Sequence, residues 1–171
     1  MSGGIIAYNG GKALGAEGFG LEFFVQGNFA DAFQMCYAME EGLRQLYLAM
    51  EKLVDEEEAK VLLSRLAAFE EGHKEKLKGM FPGKSGDDET AATVLEGGFD
   101  QQQILDHFQQ QTGALQDILQ LGMMLETQAL DLYSRLSRQS EDKSSRALFE
   151  YMAKEEMSHL RFLSKEFDKV A

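Results

Sequence analysis

Apolar residues return at helical spacing along most of the chain. Phe33, Cys36, Tyr37, Leu43, Leu46, Tyr47, Met50 and Leu53 mark a first helix beginning near Asn28, with Asn28 or Asp31 as its cap. Asp55 followed by Glu56, Glu57 and Glu58 reads as the cap and acidic first turn of a second helix, carrying Val61, Leu62, Leu66, Ala67, Phe69, His73 and Leu77. Phe81-Pro82-Gly83 should end it. The spacing predicts a third long helix from about Gly113 to Ser137, and a fourth from about Glu141 to Lys169 after a tight connection at Arg138-Gln139-Ser140. A shorter helical turn around Ile104–Phe108, with Asp100 as cap, falls between the two pairs. No stretch alternates like a strand, so the fold class is all-α.

Connection lengths then set the topology. Helices one and two are separated by a few residues, as are three and four, so each pair forms an antiparallel hairpin. Roughly thirty residues join the hairpins. A helix of about 25 residues is about 37 Å long, and an extended linker of that length crosses it easily. Two antiparallel hairpins with one long crossover make a ferritin-like four-helix bundle.

Composition narrows the chemistry. The chain has 171 residues and a net charge of −12, an acidic balance that excludes a basic nucleic-acid groove. Cys36 is the one cysteine, which excludes a disulfide framework and any four-thiolate metal or iron–sulfur site. No apolar run reaches the ~18 residues of a membrane span. The N-terminus has no basic region ahead of an apolar one, so a cytoplasmic location is expected. Glycines crowd residues 1–27, which read as an arm separate from a domain over 28–171.

The hairpins repeat each other. Shifting the chain by 86 positions aligns both without a gap, placing Glu40 on Glu126, Tyr47 on Tyr133, Glu70 on Glu156 and His73 on His159. Leu46, Leu62, Ala67 and Leu77 meet Leu132, Leu148, Ala153 and Leu163 under the same shift. Each half thus offers one Glu on its first helix and Glu-x-x-His on its second, where residues three apart share a face. One such motif specifies little; two, each matched by a glutamate on the partner helix, specify a centre. Two multivalent cations a few ångströms apart repel strongly in a low-dielectric interior. Four carboxylates balance that charge, and imidazole suits iron while leaving positions open for dioxygen or peroxide. The metal ligands are therefore Glu40, Glu70, His73, Glu126, Glu156 and His159, and two iron ions are expected, with manganese or zinc as alternatives. Glu41, Glu71 and Glu155, adjacent to these, are assigned to solvent or to Lys and Arg partners.

Tyr47 and Tyr133 lie two turns beyond the first-helix glutamates. Their hydroxyls either hydrogen-bond a ligand carboxylate of the opposite pair or simply tip core side chains. Cys36 reads as a buried inert thiol, His107 as a packing or surface residue, and the methionines as core filling.

With those six residues in place, the chain over about 28–170 resembles the rubrerythrin-type branch of the ferritin-like superfamily. The resemblance implies a non-haem di-iron centre, reduction of hydrogen peroxide or reaction with dioxygen, and a homodimer. It also exposes two departures. Rubrerythrins commonly carry a four-cysteine rubredoxin domain, absent here, so an electron donor would be a separate protein. They also carry another glutamate one turn after the third-helix ligand, and this chain has Ala129 there, with Leu43 as its repeat counterpart. Alternatives to the enzyme are a non-catalytic iron-handling protein and a purely structural helical dimer. Met1-Ser2-Gly3-Gly4-Ile5-Ile6-Ala7-Tyr8-Asn9-Gly10 resembles the closing segment of a rhodanese domain, which implies a fused rhodanese partner; Leu21, Phe23 and Phe24 in the arm suggest dimer contacts.

Overall fold

The computed structural model describes residues 31–86, 101–109 and 114–170. Five helices cover most of them: α1 (Ala32–Glu51), α2 (Glu57–Met80), α3 (Gln101–Gln109), α4 (Leu115–Gln139) and α5 (Lys143–Val170). There is no strand among the described residues. α1 packs on α2 and α4 on α5, forming the two hairpins, while α1–α5 and α2–α4 contacts join them and α3 lies against α1. This is the all-α, ferritin-like arrangement that the connection lengths predict. The residues 1–27 arm, its rhodanese-like segment, Leu21, Phe23 and Phe24, and the candidate caps Asn28 and Asp100 lie outside the described residues, as does the side chain of His107.

Capping chemistry sets the helix starts. Asp31 caps α1, its extended backbone letting the carboxylate accept from the Gln34 amide at 3.1 Å. Its other oxygen pairs with Lys84, tying the α1 start to the segment after α2. Asp55, expected as a cap, is not one. Glu56 occupies that position without a side-chain cap bond, and Glu57 and Glu58 still place negative charge on the helix's positive end. The fourth long helix likewise starts later than expected, because Asp142 rather than Glu141 accepts from the Ser145 amide, at 2.7 Å. Gly83, at φ 91°, adopts the left-handed conformation that closes α2. Gly86 is required for another reason: a β-carbon there would stand 2.2 Å from the buried Tyr37 ring.

Two apolar clusters fill the bundle. One gathers Leu43, Leu46, Met50, Leu63, Leu66, Leu119, Leu125 and Leu163. The other gathers Phe33, Cys36, Met39, Leu77, Leu132, Leu148, Phe149 and Met152. Met35, Met39, Met50 and Met152 fill core space as expected, whereas Met80, Met124 and Met157 are exposed. None of the described helices is long and apolar enough to cross a membrane.

Candidate metal centre

Four helices each contribute side chains to one buried constellation. Glu40 from α1, Glu70 and His73 from α2, Glu126 from α4, and Glu156 and His159 from α5 are all buried. His73 Nδ1 lies 2.7 Å from Glu40 Oε2, 3.3 Å from Glu70 Oε2 and 3.9 Å from Glu156 Oε1. His159 Nδ1 lies 3.3 Å from both Glu126 Oε2 and Glu156 Oε2. The two imidazoles stack across the bundle, centroids 4.7 Å apart. The structure thus brings together all six residues selected by the sequence repeat.

The tyrosines cross between the halves. Tyr133 on α4 donates to Glu40 at 2.5 Å, and Tyr47 on α1 donates to Glu126 at 3.4 Å. Both rings are fully buried, so each tyrosine is a core residue and a carboxylate donor at once. Each hydroxyl fixes the rotamer of a glutamate belonging to the other hairpin.

Electrostatics within the cluster are uneven. Burial pushes the Glu70 carboxyl well above its usual range, and the neighbouring charges of Glu126 and Glu40 push it further. Burial does the same to Glu156, with Glu126, Glu40 and Glu70 adding to it. Burial also opposes ionisation of Glu40, but the His73 charge and the bonds from His73 and Tyr133 outweigh it and hold Glu40 low. Burial would lower His73, yet Glu40 and Glu70 raise it to about 11. In the metal-free centre the charges therefore favour a Glu40–His73 ion pair, and burial disfavours ionisation of Glu70 and Glu156.

These protons have a thermodynamic signature. The unfolded chain releases the Glu70 and Glu156 protons near 4.5 and that of His73 near 6.5, whereas the folded chain retains them to higher pH. Stability of the metal-free protein should fall as pH rises above about 5, by at most about 1.4 kcal/mol per pH unit for each proton that the folded chain retains. The His73 part is complete below its unfolded value of 6.5 and is lost progressively as pH rises from there to about 11; Glu40 acts oppositely, costing stability as pH drops below 4.5. Metal loading displaces the protons and should flatten or reverse the trend between about pH 6 and 8. Calorimetric melts with and without metal would show it, and a flat metal-free profile would contradict the proton assignment.

The donor set fits metal ions. Both oxygens of Glu70, Glu156 Oε2 and His73 Nε2 are buried without a hydrogen-bond partner; the 3.3 Å His–Glu approaches along each helix are close but poorly directed for one. Orphaned polar atoms in a core cost about 1–3 kcal/mol each, and a cation would satisfy the carboxylates. Ligand atoms close enough to share an ion occur in three groups: Glu40–Glu70–His73, Glu70–Glu126–His159 and His73–Glu156–His159. Glu70 belongs to the first two, so its carboxylate is common to both groups.

Beyond these six, sequence reasoning missed Lys74. This lysine is buried and pairs with Glu41, which is buried too rather than solvated. Arg44 also binds Glu41 through two bonds of 2.8 and 2.7 Å, Gln45 adds another at 2.9 Å, and Glu71 lies 3.2 Å from Lys74. The signal was available: Lys74 lies four residues after Glu70, on the ligand-bearing face, and its repeat counterpart is the apolar Leu160. Glu155, the third adjacent carboxylate, pairs with Lys76 at 2.7 Å.

A ferritin-like bundle whose interior is lined by paired carboxylates and histidines defines the class of protein. Residues 31–167 match the Rubrerythrin family, and the chain belongs to that family. A solved structure of a hypothetical protein from Pyrococcus furiosus is similar in fold, with a TM-score of 0.52 and 22% identity, covering 86% of this chain and 93% of that one. No curated protein matches the chain.

Proposed function

We propose that the protein is a non-haem di-iron oxidoreductase of rubrerythrin type, acting on hydrogen peroxide or dioxygen. The observation that carries this reading is the convergence of four buried carboxylates and two histidines, with both Glu70 oxygens unpartnered. Glu40 and His73 would hold one ion, Glu126 and His159 the other, with Glu70 and Glu156 available to both. Iron bound there would supply the electrons that reduce the oxidant.

The chain's own residues do the rest. Tyr133 and Tyr47 hold Glu40 and Glu126 in place, so little reorganisation is needed when charge changes. The apolar clusters exclude water and strengthen every interaction inside. Cys36 is the single thiol in this sequence, so these residues hold no four-thiolate electron relay; we propose a separate donor protein and, from the family resemblance, a homodimer.

One observation favours the iron-handling alternative. Ala129 is fully buried in an apolar cluster, so the position where peroxide-reducing relatives place an extra carboxylate has no oxygen to offer. Charge compensation then rests on the four core glutamates alone, and repeated turnover should suffer more than the first oxidation.

Anaerobic titration of the metal-free protein with ferrous iron should reach a plateau of about two ions per chain, as two matched ligand sets require. Stopped-flow mixing of the loaded protein with peroxide, and separately with dioxygen, then tests the reaction. A plateau near zero would overturn metal binding. Loading without oxidation by either reagent within minutes would leave the iron-handling reading in its place.

A further inference from the structure

The two histidines stand in equivalent positions of the repeat, but their surroundings are not equivalent. Beside His159 lies Phe69, stacked with centroids 4.6 Å apart, and Phe69 is packed edge-on by Phe162 at 5.4 Å. Arg65 covers both rings, 4.2 Å from the Phe162 centroid and 5.7 Å from that of Phe69. The 86-residue shift converts Phe69, Arg65 and Lys76 into Glu155, Tyr151 and Phe162. Around His73 these positions form an ionic set: Glu155 Oε2 stands 3.9 Å from His73 Nε2, Lys76 binds Glu155 at 2.7 Å, and Lys76 also lies over the Tyr151 ring at 5.8 Å.

The difference bears on the imidazole itself. His73 presents Nδ1 to Glu40, Glu70 and Glu156, so Nδ1 is its ligand atom and the remaining ring proton belongs on Nε2. That nitrogen is buried and without a hydrogen-bond partner. A half-exposed lysine holds the nearby Glu155 carboxylate, and a small side-chain adjustment brings its oxygen within reach. A carboxylate accepting that proton fixes the tautomer and makes the ring a stronger donor to a metal. Phe69, a hydrocarbon ring, can restrain the tilt of His159 but offers it no acceptor.

We infer that Glu155 is a positioning residue that accepts the Nε2 proton of His73, making the His73 half of the centre the tighter of two unequal metal positions. The inference rests on the metal-binding reading above and adds an order of filling to it.

Anaerobic calorimetric titration of the whole chain with ferrous iron should resolve two steps separated by about tenfold or more. Glu155→Leu should weaken the tight step by about 10–100-fold and leave the weaker one unchanged. Lys76→Met, which removes the surface ion pair but keeps the carboxylate, should retain the two steps. In the cobalt(II)-loaded wild type, a paramagnetically shifted, slowly exchanging imidazole N–H proton should be visible by NMR, and Glu155→Leu should lose it. Two equal steps in the wild type would overturn the inference while leaving the di-metal reading intact. So would a Glu155→Leu variant that keeps both the tight step and the N–H signal, or a Lys76→Met variant that loses the tight step. No uptake by the wild type would overturn both readings together.

Discussion

Glu70→Gln should weaken metal binding by on the order of 10²–10³-fold while leaving the metal-free fold as stable as before, or more so. Glu70 is common to two of the ligand groups, and its loss leaves positive charge uncompensated in a dry interior, a penalty of about 3–5 kcal/mol. Without metal the balance reverses. Burial disfavours ionisation of the carboxyl and both oxygens lack partners, so a neutral side chain of the same shape removes nothing the fold was using. The variant should also lose one retained proton from the pH dependence of the metal-free melt. Ferrous titration and melts at about pH 8 measure the two effects separately. Unchanged affinity would show that Glu70 is not a ligand. A large loss of metal-free stability would show that it is a structural residue.

The second large effect concerns the buried ion pair next to the centre. Lys74→Met should destabilise the protein by about 2–3 kcal/mol. This is less than the cost of leaving a buried charge wholly unpaired, because Arg44 and Gln45 remain bound to Glu41. Adding Glu41→Leu should recover most of the loss, since Arg44 is partly exposed and can turn to water or to Glu71, 3.4 Å away. A double-mutant cycle from denaturant melts gives the coupling directly. Additive single effects would mean that the Lys74–Glu41 contact carries no net stability.

Much of this architecture is readable from the chain. The apolar spacing from Phe33 to Met50 and from Leu62 to Leu77 requires amphipathic helices, and short connections require hairpins. The candidate site is legible because six metal-type residues obey one shift, which solvated acidic faces have no reason to do. Helix starts were less legible: Asp55 and Glu141 look like starts by composition, but a cap depends on where the backbone turns, and the turns fall at Glu56 and Asp142. Burial of individual charges was illegible for a related reason. Glu40 and Glu41 are neighbours on α1 and both are buried, one facing His73 and the other Lys74. The repeat points to the first but says nothing about the second, because Thr127 and Leu160 take the places of Glu41 and Lys74 in the other half. Departures from the repeat are as informative as agreements with it.

The exchange of tyrosine bonds between hairpins also bears on how such a centre can arise. Tyr133 holds Glu40 across 93 residues of chain and Tyr47 holds Glu126 across 79, so neither hairpin contains a whole site. One hairpin associating with a second copy of itself would build the same contacts, but only at concentrations that favour association, and with two identical halves. Joining the halves through a crossover turns that encounter into an intramolecular one, with an effective concentration on the order of millimolar. It also removes the requirement that both halves change together. Lys74 can face Glu41 on one side with Leu160 on the other, and Glu155 can stand by one histidine while Phe69 covers its twin. Covalent linkage lets a repeated scaffold hold an asymmetric interior.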